Sequence, residues 1–375
     1  MQPAPRINIE DPAALTAYLQ RTGQIPPHLQ PRIHPLAGGV SNRTVLVEVD
    51  AQTRWVLKQA LAQLRVQVEW FSDPRRIERE ALGLRLLPLL TPPGTIPRLI
   101  FEDPEQHLLA MAAVDEPHVN WKQQLLVGQV EPDQVQQFAQ ILGQIHARSA
   151  DHAALLAPLL ADQDDQLTTT LPHGGGTATQ DLPALQELAL TRPGVGSFFE
   201  SLRLEPYYHY TAQQAPEAAP FFHALIAETS RLHLAVVHGD YSPKNILIYA
   251  GQLILLDHEV IHWGDPAFDV GFAMTHLLSK AHYLVAHRTR FLTMAGEFWT
   301  TYQRVVGDRF GPALEPRAAR HLMACLLARV LGRSPLEYLD AAARDRQRRA
   351  VLQLIARPPA RIPALIAAFA EEIAP

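Results

Sequence analysis

Residues 236–271 read VVHGDYSPKNILIYAGQLILLDHEVIHWGDPAFDVG, and this stretch decides the fold. Two short apolar runs, 245–249 and 252–256, flank Ala250-Gly251, a dipeptide suited to a tight hairpin. The polar groups gather at the outer ends of that hairpin, with His238, Asp240 and Asn245 on one side and Asp257 and Glu259 on the other. Folding back at 250–251 brings position 245 beside position 257, so Asp240, Asn245 and Asp257 surround one small volume. Phosphoryl transfer requires such a set. One carboxylate orients a hydroxyl and takes its proton, while hard oxygen ligands hold Mg²⁺ against nucleotide phosphates. The spacing Asp-x-x-x-x-Asn at 240–245 matches a loop in which Asp is the base and Asn a metal ligand. Asp257, at the end of the next strand, then reads as the main metal carboxylate.

His238-Gly-Asp-Tyr-Ser-Pro-Lys-Asn245, with Leu256-Asp-His-Glu259 and Gly264-Asp-Pro-Ala-Phe-Asp269, resembles the aminoglycoside phosphotransferase and choline kinase-like family. The resemblance implies an α+β, protein-kinase-like fold of two lobes, a small sheet lobe followed by a larger, mainly helical one. It implies transfer of the γ-phosphate of ATP, with Mg²⁺, to a hydroxyl of a small molecule such as a sugar, an amino alcohol or an aminoglycoside. It also assigns expectations upstream. Lys58 falls where a strand lysine reaches the phosphates, and Glu80 where a helix glutamate pairs with it. Gly38-Gly-Val-Ser-Asn42 resembles the loop that covers them, through Gly38, Gly39, Ser41 and Asn42. Met111 and Val114 are further candidates for nucleotide contact. Asp269 would accept backbone hydrogen bonds from the Asp240 loop, and His238 would brace that loop.

Within the family, Val56-Leu-Lys-Gln-Ala-Leu61 and Asp257-x-Glu259 look most like the 5-methylthioribose kinases. Two departures stand out. Their His-Gly-Asp-Leu-His loop is replaced by the one quoted above, and their arginine pair on the substrate side is reduced to Ala328-Arg329. The acceptor therefore stays open.

The flanking sequence fits two lobes. Residues 44–49 and 54–58 are rich in β-branched and aromatic side chains, with 50–53 as the loop between them. Asp73-Pro74 starts a helix, a cap followed by proline at the first helical position. Its apolar face runs Ile77, Ala81, Leu84, and Glu80 shares that face, with Glu78 as a rival. Residues 96–102 and 107–113 add a strand pair and complete a small mixed sheet. A short helix is expected at 12–21 behind Asp11. Val135, Phe138, Ile141, Leu142 and Ile145 mark an amphipathic helix, and helices dominate from 267 onward, broken near Gly311, Gly332 and Pro358-Pro359. A nucleotide-binding lobe is thus expected at 1–114, and a catalytic and substrate lobe at 115–375. Residues 158–182, poor in large apolar side chains, read as a flexible insert.

Composition removes other classes. With 47% hydrophobic and 19% charged residues the 375-residue chain is too apolar for disorder. A net charge of −5 argues against a general nucleic-acid binder. No run of about 18 apolar residues suggests a membrane span. One cysteine, Cys325, and an N-terminus without an apolar signal core point to the cytoplasm. Of 33 basic residues only four are lysine: Lys58, Lys122, Lys244 and Lys280. Two of those fall where a compact point charge serves phosphate better than an arginine fork.

Several residues keep two readings. Glu259 is a second metal contact or a solvated strand-end acid. His258 and His262 offer nitrogens, but no third ligand has zinc spacing. Asp265, before Pro266, reads as a helix cap. Arg329 shares a helical face with Leu322, Cys325 and Leu326, so it either pairs with a structural acid or points into a substrate cleft, for which Tyr207, Tyr208 and Tyr210 are other candidates. A protein kinase is disfavoured. Asp257-His-Glu259 replaces Asp-Phe-Gly, and the 19 residues from Asp257 to Thr275 leave no room for an activation segment. A nucleotide-binding pseudo-enzyme is the alternative of another class, opposed by the complete polar set.

Overall fold

The computed structural model describes residues 6–36, 39, 41–65, 70–160, 182–191 and 197–374. Gly38 lies outside the described residues, as do 161–181 of the expected insert; residue 160 ends the helix Ala153–Leu160.

The N-terminal part is a five-stranded sheet of β1 (Arg32–Pro35), β2 (Asn42–Glu48), β3 (Arg54–Ala60), β4 (Leu99–Asp103) and β5 (Leu108–Ala112), in the order β1-β2-β3-β5-β4. Every pairing is antiparallel, where a mixed sheet was expected. Only a few residues separate β1 from β2, β2 from β3 and β4 from β5. A parallel neighbour would need a crossover of a dozen or more residues.

Alternation along β3 sorts its side chains. Trp55 and Leu57 turn toward α1 (Pro12–Arg21), where they pack with Leu15, Tyr18, Leu19, Val45 and Val47. Val56 and Lys58 therefore face the opposite side, toward the rest of the molecule. The α1 cap is Asp11, whose Oδ1 accepts from Ala13 N at 3.0 Å and Ala14 N at 3.2 Å. Between β3 and β4 runs α2 (Arg76–Leu90), two residues later than the Asp73-Pro74 signal indicates. Asp73 Oδ1 accepts from Arg75 N at 2.9 Å, so the pair forms a turn ahead of the helix instead of its first turn.

The remainder is mainly helical. After β6 (His118–Asn120) come α3 (Trp121–Leu126) and α4 (Pro132–Asp151). Val135, Phe138, Leu142 and Ile145 of α4 are wholly buried. Each contributes about 1.5–3 kcal/mol relative to exposure, which is why that stripe anchors the larger core. A ten-residue π-helix, Glu200–His209, and the helix Ala219–Thr229 lead to β7 (Ala235–Val237), β8 (Ile246–Tyr249), β9 (Gln252–Leu255) and β10 (His262–Gly264). The helices Pro266–Tyr283, Arg288–Val306, Leu314–Leu331, Ala341–Ala356 and Ile362–Glu372 complete the chain, with breaks at Gly311, Gly332 and Pro358-Pro359 and a further one at 284–287. Among the described residues no helix is long and apolar enough to cross a membrane.

Candidate active site

The loop 238–245 leaves β7 and is held from below. His238 N and Gly239 N donate to Asp269 Oδ2 and Oδ1, at 2.6 and 2.9 Å. Asp269 sits in the first turn of Pro266–Tyr283, where the helix dipole favours a carboxylate. Burial raises its pKa, but hydrogen bonding by His146 and by the His238 backbone outweighs it and holds the group below the usual range. Asp265 caps the same helix through Ala267 N at 3.0 Å and pairs with Arg317 at 2.9 Å. Gly239 has φ +76°, and a Cβ there would lie 2.7 Å from Val260 Cγ1. His238 Nδ1 accepts from Asp240 N at 3.2 Å, and Nε2 faces His258 Nδ1 at 3.2 Å. His238 is thus a brace of the loop, kept neutral by burial.

Asp240 is almost fully buried. Asn245 Nδ2 donates to its carbonyl at 3.0 Å and to Oδ2 at 2.9 Å. Two cations share that oxygen, Arg203 Nη2 and Lys244 Nζ, each at 3.0 Å. Burial alone would raise its pKa; Arg203 and Lys244 overcome this and keep the carboxyl below its ordinary value. The hairpin that follows turns at Ala250 (φ +47°) and Gly251 (φ +78°). It returns Leu256 N to Asn245 O at 2.9 Å, which sets Asp257 beside Asn245. Asp257 itself takes φ +68°, a conformation that aspartate tolerates better than most residues and that is enriched at functional sites.

Lys58 crosses from the sheet to meet Asp257. Its Nζ lies 2.6 Å from Glu80 Oε1 and 2.9 Å from Asp257 Oδ1, so Glu80, not Glu78, is its helix partner. Burial works against the lysine charge, but Asp257 and Glu80 hold it fully protonated. Asp257 is pulled well below the carboxylate range by Lys58 and Lys244 against the effect of burial. Glu80 is pushed up to about 7 by burial, since one lysine is divided between two carboxylates. The helix comes this close because position 83 is glycine: a Cβ there would stand 2.4 Å from His258 Cβ.

Glu259 is buried, which removes the solvated strand-end reading. Its Oε2 accepts from Arg76 Nε and from Asn42 Nδ2, both at 3.1 Å. Arg76, fully buried, also donates to the carbonyls of Ser41 and Leu61. It therefore ties the β1–β2 loop to the strand end that carries Asp257.

These groups surround a cleft of about 530 Å³, whose wall includes Gly39, Ser41, Asn42, Lys58, Asp240, Asn245, Asp257 and Glu259. An adjoining pocket of about 410 Å³ shares Gly39 and Lys58 with it and is lined by Val56, Met111, Val114 and Leu247. Among the described residues, the structure thus gathers the expected catalytic, metal and phosphate-loop residues around two connected spaces, while Glu80 and Arg329 stand behind their walls. Glu80 stands behind Lys58, fully buried. Arg329 stands behind the wall, its Nη1 hydrogen-bonded to Tyr207 Oη at 2.9 Å and to Ser334 Oγ at 3.0 Å. Tyr207 and Ser334 are the surface it supports. Tyr208 turns inward to His321 Nδ1 at 2.8 Å, and Tyr210 stacks with Arg333. His262 stacks on Phe199 while His258 faces His238, so the two do not converge on a metal.

Two residues escaped the sequence reading, Arg203 and Arg76. Arg76 had a signal, because an arginine one turn before Glu80 on a buried helix face demands an acid partner. Arg203 had none beyond its four-residue spacing from Tyr207.

The donor chemistry fits Mg²⁺. Glu80, Asp257 and Glu259 offer carboxylate oxygens within 4.8 Å of one another, and hard oxygen is what that ion takes. Asn245 uses its amide nitrogen on Asp240, leaving its carbonyl oxygen for a cation, and Glu259 keeps Oε1. Lys58 already occupies the Glu80 side.

A lysine of an antiparallel sheet paired to a helix glutamate, above a helical body carrying an Asp–Asn loop and a following Asp, defines a protein-kinase-like fold. The amicoumacin kinase hAmiN, solved with AMP-PNP, Ca²⁺ and Ami, shares it. Its TM-score is 0.53 at 12% identity, covering 92% of this chain and 95% of that one. Residues 32–305 match the phosphotransferase enzyme family, APH, and the chain belongs to that family. The methylthioribose kinase of Citrobacter koseri is 25% identical over 274 residues. That match spans 67% of this chain and 62% of the relative, less than two thirds of its length.

Proposed function

We propose that the chain is a cytoplasmic small-molecule kinase that transfers the γ-phosphate of ATP to a hydroxyl. The observation that carries this reading is Lys58 Nζ held between Glu80 and Asp257, in one cleft with the Asp240–Asn245 pair. In this reading the apolar pocket at Val56, Met111 and Leu247 takes the base, and Lys58 with the 39–42 loop takes the phosphates. Asp257, Asn245 and Glu259 would hold Mg²⁺, which offsets the charge gathering on the phosphate oxygens. Asp240 orients the acceptor hydroxyl and receives its proton as the new O–P bond forms and the bond to the ADP oxygen breaks. Arg203 and Lys244 make Asp240 a weak base. That is tolerable, because phosphoryl transfer depends on positioning more than on proton abstraction.

The test is an ADP-release screen of sugars, amino alcohols and aminoglycosides, with mass detection of the product. Asp240→Ala is expected to lose about 10²–10⁴ in kcat while binding nucleotide as before. Turnover by that variant at the wild-type rate removes Asp240 from the role. A narrower reading, a kinase of 5-methylthioribose, is favoured by the similarity to the Citrobacter koseri enzyme. Including methylthioribose in the screen tests it directly.

A further inference from the structure

The end of the cleft beyond Asp240 is basic. Lys122, Arg203 and Lys244 line it, and Arg329 supports its wall through Tyr207 and Ser334. Lys280 lies fully buried behind; among the described residues its contacts are the His276 carbonyl at 3.3 Å and the face of Tyr338 at 5.4 Å. His276 is kept neutral by burial, with Arg329, Lys280, Lys244 and Lys122 all close enough to oppose its protonation. Among the described residues, Asp240 and Glu337 stand at this end against the five basic side chains, with Asp257 and Glu259 across the cleft on the side that Lys58 and Arg76 already serve. Asp240 is shared by Arg203 and Lys244, and Glu337, largely exposed, meets Lys122 at 2.5 Å. Three of the four lysines in the whole chain therefore line the cleft, and the fourth backs it.

Among the described residues the acids of this end, Asp240 and Glu337, are already paired, so a polycation would find no free one. From this surplus of positive charge we infer that the acceptor carries an acidic group, a carboxylate, phosphate or sulfate, besides its reacting hydroxyl. Lys122 receives that group, exchanging Glu337 for it. The exchange is easy because the Glu337 side chain is 62% exposed and can return to water. Lys280 is drawn down to about 7, first by its burial and then by the neighbouring Lys122 and Arg329. The inference rests on the kinase reading for the identity of the reacting group, but the basic site itself stands on the charges named above.

Two measurements separate the two claims. The first is ADP release with matched compounds: an aldonic acid and a sugar phosphate, their neutral parents, and the corresponding amino sugars. The acids are expected to show kcat/KM about ten-fold or more above their parents, the loss typical of one charged hydrogen bond. Lys122→Gln is expected to shrink that ratio by a similar factor through KM, with Lys122→Arg restoring much of it. Preference for the amines, or a ratio unchanged in Lys122→Gln, overturns the inference. The second is thermal stability with AMP-PNP present, titrating malonate against ethylenediamine on the wild-type protein. Malonate should raise Tm and the diamine should not; the reverse order overturns the inference without reference to turnover. Stabilisation by malonate with no ADP release from any compound removes the kinase reading and leaves the anion site in place.

Discussion

Arg203 Nη2 lies 3.0 Å from Asp240 Oδ2, and Arg203 Nε donates to the Gly239 carbonyl at 2.5 Å. One side chain from the π-helix thus grips both the backbone and the carboxylate of the loop. Its side chain is largely buried, and its guanidinium lies near the rings of Tyr207 and Phe272. Arg203→Met should therefore release Asp240 from an opposing charge while keeping the packing. The sign is fixed: burial, then opposed by Lys244 without Arg203, moves the Asp240 pKa upward, so the acid limb of the kcat/KM profile shifts toward neutral pH. A pH–rate profile of the variant checks this. An unmoved acid limb would detach Arg203 from Asp240.

Lys58 faces a different demand. It serves two carboxylates, of which Glu80 is wholly buried. Lys58→Met strands both, and a charge left unpaired in that setting costs about 3–5 kcal/mol. Lys58→Arg keeps the charge, but a planar fork cannot place one nitrogen between Glu80 Oε1 and Asp257 Oδ1 as the ammonium does. Urea unfolding should show a large loss for the methionine variant and a smaller one for arginine. Equilibrium nucleotide binding should weaken in both.

How much of this was legible beforehand follows from what each residue contributes to a pattern. Asp240, Asn245 and Asp257 stand at fixed spacings around a hairpin whose turn residues announce themselves, so their convergence could be read. Lys58 and Glu80 lie in a strand and a helix with clear periodicity, and an alternating strand puts Lys58 on the face away from Trp55 and Leu57. The paired sheet was legible, but not that it is antiparallel throughout, because the order of β4 and β5 depends on where α2 returns the chain. Arg203 was hidden for a physical reason. A π-helix has no sequence periodicity that separates it from an α-helix, and one arginine among 29 carries no mark. Arg329 was seen on an apolar stripe, yet whether it entered the cleft or stood behind it depended on Tyr207, which the stripe does not determine.

Gly239 and Gly251 permit a controlled comparison. Both have φ near +77°, but only Gly239 is crowded, by Val260 Cγ1 at 2.7 Å and Val260 O at 3.0 Å; nothing lies within 4 Å of a Cβ at Gly251. Gly251→Ala should cost about 1 kcal/mol from backbone strain. Gly239→Ala adds a clash with the short, branched Val260 side chain and a tight contact with its carbonyl, for a total loss of about 2–4 kcal/mol. It should also displace Asp240, which follows in the chain, and so reduce turnover. Equal urea midpoints for the two variants would show that the loop moves freely against Val260.

Lys280 tests whether the basic end of the cleft is retained at the expense of stability. Its pKa is lowered from 10.5 to about 7, first by burial and then by Lys122 and Arg329. In the folded chain it binds fewer protons than in the unfolded chain across that interval, so stability should rise between about pH 7 and pH 10.5. Below pH 7 the full cost of the buried ammonium remains. Lys280→Met, of similar length and without the charge, should therefore be more stable than wild type at neutral pH, by about 1–4 kcal/mol. It should also flatten the rise toward alkaline pH. Urea unfolding at pH 6, 7.5 and 9 measures both. If the variant is less stable at every pH, Lys280 belongs to the ordinary packing of its helix and its charge is satisfied where it lies.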